Sequence, residues 1–133
     1  MHPVFQWSLI VLRVAFGTLF VFSGLNDFFH FWQPPAPTTP QSQIFMQGLQ
    51  GSGYLIPLQG AVYTLSGLAL IANRFVPLAL VVLAAPTAVI VGYHAVMECH
   101  PLGPSLIVLA THLLLAWQQR KTLSVLFQPR PSV

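Results

Sequence analysis

At 133 residues the chain is long enough for one domain. Its composition, 55% hydrophobic and 5% charged with a mean hydropathy of +0.72, excludes a water-soluble globule, whose charged share is about 25%. A formal net charge of +3, from five Lys and Arg against two acids, is too sparse for the dense basic stripe that nucleic acid requires. The lone cysteine, Cys99, excludes an intrachain disulfide.

A lipid bilayer is the solvent this composition fits. A helix crosses its hydrocarbon core, roughly 30 Å thick, with about 20 mainly apolar residues. The first such segment covers about residues 3–32, interrupted by Arg13 and, near its end, by Asn26 and Asp27. It is too long for the apolar region of a cleaved leader, and no small-x-small site follows it, so a span is expected. Residues 33–53 form the one long loop. Pro34, Pro35, Pro37 and Pro40 among Thr, Ser and Gln favour extended chain there. The patch Ile44, Phe45, Met46 and Leu49 then suits a helical turn or two on the membrane surface, or a lid over the outer end. Three further spans follow at about 54–72, 75–97 and 104–118, with a tail at 119–133. The second and third are joined only by Asn73 and Arg74, a tight helical hairpin. The chain therefore reads as a single all-α transmembrane domain, a four-helix bundle with one long outer loop between its first two helices.

Basic residues orient it. Four crossings put the N-terminus, the Asn73-Arg74 hairpin and the tail on one side, where Arg74, Arg120, Lys121 and Arg130 all fall. No Lys or Arg lies on the other side, so the first side is cytoplasmic and both termini are inside. For a bacterial chain this means multi-pass placement in the inner membrane. Trp7 and Trp117 fall near the inner interface, and Trp32, Tyr54 and Tyr93 near the outer one, where amphipathic rings prefer to sit.

Helices in lipid associate through small residues that let backbones approach. Gly17 and Gly24 are two turns apart in the first span, and Gly60 and Gly67 repeat the spacing in the second. Their surroundings are alike, Gly17-Thr-Leu-Phe-Val-Phe-Ser-Gly-Leu25 against Gly60-Ala-Val-Tyr-Thr-Leu-Ser-Gly-Leu68, and the helices run antiparallel. Shared packing need explains this better than an inverted transporter repeat. Pro86, mid-span in the third helix, removes the donor for the Val82 carbonyl and predicts a kink.

Polar residues inside a membrane are functional candidates. Counting 1.5 Å per residue inward from Asp27, Arg13 lies about 21 Å deep, where its long arm can snorkel toward the cytoplasmic edge or hold an anionic group, a quinone oxygen or a partner subunit. His112 lies within the fourth span, suited to an interhelical hydrogen bond, a proton relay or a quinone contact. The outer end collects Asn26, Asp27, His30, His94, Glu98, Cys99 and His100. Their spacing matches no strong metal signature, so no metal site is assigned. Haem between His94 and His112 is disfavoured because the two differ in depth by about 12 Å. No nucleophile triad, phosphate loop or dinucleotide fingerprint is present.

Leu12-Arg13-Val14, Gly17, Ser23-Gly24-Leu25-Asn26, Gly53-Tyr54 with Pro57, Ser66-Gly67-Leu68-Ala69-Leu70, Arg74-Phe75-Val76-Pro77-Leu78-Ala79-Leu80, Ala85-Pro86, Tyr93-His94 and Ala116-Trp117 occur in an order and spacing that touch nearly every span. In these residues the chain resembles the DoxX-like family of small bacterial four-helix membrane proteins. That resemblance implies a link to membrane redox chemistry, since namesakes are associated with a thiosulfate:quinone oxidoreductase and other members with redox-stress complexes. It draws interest to Arg13, Asn26 and His94. Tyr63 and His112 stand where the family pattern has acidic residues, so an activity that needs those carboxylates is not implied here.

Three classes of function are compatible with this reading. The leading one is an accessory or structural subunit of a larger membrane complex, redox-linked, associating with other subunits or with itself. The second is an oxidoreductase component that contacts a quinone, the one cofactor left open, through Arg13, Asn26, His94 or His112. The third is a small oligomeric transporter or channel module. The sequence does not decide whether the chain is an enzyme.

Overall fold

A computed structural model describes residues 3–98 and 103–129, and among them every regular element is helical. Helix α1, Pro3–Phe29, opens with a proline at its first turn, where no amide donor is needed, and runs for 27 residues. It stops at His30, which adopts the left-handed conformation (φ 51°). Asn26 closes this end: its carbonyl accepts the His30 amide at 2.9 Å and its side-chain oxygen accepts the Trp32 amide at 2.7 Å.

The segment expected to be loop contains a full helix, α2, Pro40–Gly51, of 12 residues rather than a turn or two. Its start signal is Thr39-Pro40-x-Ser42. The Thr39 and Ser42 side chains bond each other's backbone amides in a reciprocal cap, and Pro40 presets the first turn. Gly53, at φ 74°, then turns the chain into α3, Leu55–Ile71, so that α2 and α3 meet at 88°.

Helix α4, Val76–Gly92, continues through a π-helical turn, Tyr93–Met97. Helix α5 covers Gly103–Gln118, followed by the short α6, Arg120–Leu123, and a 3-10 turn, Ser124–Phe127. By length and apolarity, α1 and the continuous Val76–Met97 helix can each cross a membrane, and the bent α2–α3 pair qualifies as a broken third span. At 16 residues, α5 is a shorter apolar helix.

The principal packing is α1 against α3. A Cβ placed on Gly67 would come within 2.5 Å of the Gly17 carbonyl oxygen, and one on Gly17 within 2.7 Å of the Gly67 oxygen. The same reciprocity holds one seam lower, where a Cβ on Gly24 would meet the Gly60 oxygen at 2.6 Å and one on Gly60 the Gly24 oxygen at 2.9 Å. Each glycine thus presents a Cα–H to the other helix's carbonyl, a weak hydrogen bond that only a missing side chain permits. Thr64 Oγ1, buried without a hydrogen-bond partner, faces Gly24 in the same way. Around this seam lies a core of Phe16, Phe20, Tyr63, Leu70, Leu80, Leu83 and Leu115. Phe16 meets Phe20, and Phe20 meets Tyr63, edge to face with centroids 5.0 Å apart.

Candidate ligand cleft

The Phe29 end of α1, the Leu55 end of α3 and the Gly92 end of α4 are roofed by α2. Glu98 fixes the roof. Its carboxylate is 8% exposed and accepts the Thr38 amide at 3.0 Å, the Thr38 hydroxyl, and the Tyr93 hydroxyl at 3.3 Å. Next to it Thr39 donates to the Met97 carbonyl at 2.7 Å. The Ser42 and Thr38 hydroxyls hold the Glu98 carboxyl down to about 2, against the burial that opposes them. Phe45 of α2 adds a ring contact to Tyr93, with centroids 5.8 Å apart.

Beneath α2 lies a cleft of about 240 Å³ whose polar lining is Asp27, Gln59, Tyr63, Tyr93 and His94, the rest being apolar, including Phe45, Leu49 and Ile90. Gln59 Nε2 donates to Asp27 Oδ2 at 3.1 Å and so orients that carboxylate. Tyr63 is almost wholly buried among core residues, yet its hydroxyl makes no hydrogen bond among the described residues.

His94 owes its position to the π turn. There the Glu98 amide bonds the Tyr93 carbonyl five residues back, and at the start of the turn the Ile90 carbonyl accepts both the Tyr93 amide and the His94 ring, whose Nδ1 lies 2.8 Å away. A carbonyl only accepts, so Nδ1 carries the proton and the Nε2 lone pair of the neutral ring is unengaged. Tyr93 packs edge-on against the imidazole at 5.3 Å and limits its rotation.

Two further spaces adjoin this cleft. One, about 370 Å³, shares Phe45, Leu49, Gln59, Tyr63 and Val89 with it and extends along the α3–α4 face past Leu58, Val62 and Pro86. Its walls are overwhelmingly apolar, and it forms a sideways opening between helices. The other, about 500 Å³, shares Asp27, Pro34, Met46 and Ile56 with it and is the more polar of the two, adding Asn26, His30, Gln33 and Gln50 beside Trp32 and Pro57. The arrangement is amphipathic, with a hydrogen-bonding head region under α2, an apolar flank, and a polar mouth.

Of the residues singled out in the sequence, Asn26, Asp27, His30 and His94 line these spaces. Glu98 supports the roof. Cys99 and His100 lie outside the described residues, and among those described no three His, Cys, Asp or Glu side chains gather as a metal would need. Arg13 and His112 line none of the three spaces. Arg13 Nε donates at 3.1 Å to the Leu70 carbonyl at the end of α3, where a cation also complements the helix dipole. His112 is buried, its Nδ1 2.9 Å from Thr87 Oγ1, and joins α5 to α4 beside Pro86. Sequence reasoning missed Gln59 and, on α2, Gln50, while Phe45, Met46 and Leu49 belong to the patch it grouped as a surface turn or lid. Gln59, one residue before the glycine that packs on α1, offered only that adjacency as a signal.

No curated protein and no solved structure matches the chain. A family model described as DoxX matches residues 8–97, about two thirds of its length and everything from the first glycine seam to the end of the π turn. The chain is a membrane protein of the DoxX family.

Proposed function

We propose that this DoxX-family protein is the quinone-holding subunit of a redox-linked complex in the bacterial inner membrane. It would span four times with both termini cytoplasmic, its head-group cleft near the outer face. The observation that carries this reading is that the Tyr63 hydroxyl, which makes no hydrogen bond among the described residues, and the His94 ring, bonded there through Nδ1, belong to residues lining one cleft with a lateral apolar opening. A donor and an acceptor left to one partly apolar cleft fit a ligand that brings its own partners.

A quinone head group carries two oxygens that accept hydrogen bonds when oxidised and donate when reduced, and its apolar tail suits the α3–α4 opening. When bound, such a group supplies two-electron, two-proton chemistry. The chain's own residues hold and orient it. Tyr63 donates a hydrogen bond, and His94 Nε2 accepts one or takes a proton while Nδ1–H keeps its bond to Ile90. Asp27, steadied by Gln59, connects the cleft to the polar mouth and can pass a proton there.

The test is extraction of the protein in mild detergent and measurement of quinone and co-purifying chains. Wild type retains quinone and at least one other subunit. His94→Ala and Tyr63→Phe lose quinone by about tenfold, the worth of one lost hydrogen bond to a desolvated group. Unchanged quinone content in both variants would refute the assignment.

A further inference from the structure

Beyond the last apolar helix the chain does something the cleft does not use. Gln119 leaves helical geometry, α6 follows, and the 3-10 turn Ser124–Phe127 presents Val125, Leu126 and Phe127 at 59%, 63% and 85% exposure. Three residues make one turn of a 3-10 helix, so three consecutive side chains point in three directions around its axis. A flat protein surface could cover one or two of them. A medium that surrounds the turn covers all three, and the boundary between head groups and acyl chains of a bilayer is such a medium.

One turn earlier stand Arg120 and Lys121. The Arg120 guanidinium lies 4.4 Å over the Trp117 ring and donates to the Trp117 carbonyl at 3.1 Å, so cation and indole form one unit. Ser124 folds back on the Lys121 carbonyl at 2.7 Å, and among the described residues no carboxylate pairs with Arg120 or Lys121. Both acids of the chain, Asp27 and Glu98, are about 24 Å away at the far end of α5, by its 16 residues at 1.5 Å each. Two cations, a tryptophan and an apolar turn therefore share one end of the molecule, with no Asp or Glu side chain beside them among the described residues.

We infer that residues 117–127 form an anionic-phospholipid contact, with Val125, Leu126 and Phe127 set in the interface and Arg120 and Lys121 holding an acidic head group. It rests on α5 lying in the bilayer, as proposed above, and is independent of the cleft. An acidic protein partner is the competing occupant, and the test separates the two.

The purified full chain carrying Trp7→Phe and Trp32→Phe, so that Trp117 is its sole tryptophan, is placed in vesicles containing a fixed minor fraction of brominated lipid. That lipid is either brominated phosphatidylglycerol or brominated phosphatidylcholine. Trp117 is expected to be quenched more strongly by the anionic lipid. Arg120→Gln and Lys121→Gln should each lower that preference about fivefold, and the conservative pair Arg120→Lys, Lys121→Arg should keep it. The preference is read as a ratio within each variant, so a general change in Trp117 emission does not enter, and circular dichroism confirms the fold. Equal quenching by both lipids, or a preference that survives the double glutamine variant, overturns the inference while leaving α5 in the bilayer. Quenching by neither lipid overturns both it and the placement of α5.

Discussion

The α1–α3 seam permits the most quantitative prediction, because the perturbation is a single methyl group. In Gly67→Ala the new Cβ would sit 2.5 Å from the Gly17 oxygen, 2.7 Å from Val21 Cγ2 and 2.9 Å from the Val21 amide nitrogen. Two of these three neighbours are backbone atoms of a helix and cannot rotate away, so α1 and α3 must separate. Ordinary contact begins near 3.4 Å, so the gap opened is close to 1 Å. A gap of that size forfeits up to about half of each dispersion well along the seam and breaks the reciprocal Cα–H···O pairs, each worth about 0.5–1 kcal/mol. The expected destabilisation is about 2–3 kcal/mol, within the range for overpacked cores. Gly48→Ala in α2 and Gly92→Ala at the end of α4 are controls, since a Cβ at either meets nothing within 4 Å. There alanine should be neutral or stabilise by about 0.5–1 kcal/mol through helix propensity alone. Unfolding in mixed micelles of increasing SDS fraction, followed by loss of helix signal, measures all three. If Gly67→Ala falls within about 0.5 kcal/mol of wild type, the close backbone approach is not what holds α1 to α3.

Three other outcomes follow from the contacts described. Glu98→Gln should loosen α2, seen as faster amide exchange at Thr38, Thr39 and residues 42–45, with the α1–α3 amides unchanged. Because the Glu98 pKa is depressed to about 2 from an ordinary value of 4.5, its tether is at full strength above pH 4.5 and is lost as pH falls toward 2. Exchange at Thr38 should therefore show no pH dependence of this origin between pH 5 and 8, once intrinsic rates are divided out; a tether that weakens in that window contradicts the assignment. Thr87→Val removes the partner of His112 Nδ1 and should cost about 1 kcal/mol in the same SDS titration, a loss absent in a His112→Phe background. Arg13→Ala leaves the Leu70 carbonyl to the Asn73 amide at 3.3 Å and should cost about 0.5–2 kcal/mol with quinone retention unaltered; release of quinone by this variant would place Arg13 in the ligand site instead.

How much of this could be read from the residues varies with the range over which each feature acts. The helical class follows from apolar runs with two acids in the whole chain, a property of composition. The glycine spacing of seven is visible in the sequence, but the backbone-to-backbone meeting of Gly17 with Gly67 and Gly24 with Gly60 is visible only in three dimensions. Helix α2 had a local signal, Thr39-Pro40-x-Ser42, which the surrounding prolines obscured: three of the four precede the cap, and the fourth is its first residue. Glu98 offered no such signal. Apart from the Tyr93 hydroxyl, its donors lie far along the chain, and only the fold brings Thr38, 60 residues away, to it. The π turn beside His94 was equally hidden, since nothing in Tyr93-His94-Ala95-Val96-Met97 distinguishes a five-residue register from the usual four.

The polar residues of the spans share a logic that explains why some are structural and others free. In lipid, a backbone group without a partner has no water to turn to, so side chains repair each irregularity of the helices. Arg13 adds a stronger donor to the Leu70 carbonyl, which otherwise has the Asn73 amide at 3.3 Å, the His94 ring adds one to the Ile90 carbonyl beside the Tyr93 amide, and Asn26 accepts the Trp32 amide beyond α1. Repair consumes one face of a side chain. For Arg13 the bonded Nε lies at a helix end, away from the cleft residues, whereas His94 has a second nitrogen and that nitrogen belongs to a cleft-lining ring. Tyr63 repairs nothing: its ring packs on Phe20 while its hydroxyl is left to the cleft. A hydroxyl kept among apolar neighbours without a partner is a standing cost, which phenylalanine would remove. Tyr63→Phe should therefore raise the stability of the empty protein while lowering its hold on the ligand. A protein that instead loses both stability and ligand on this substitution would show that the hydroxyl is structurally engaged, and that His94 alone defines the head-group site.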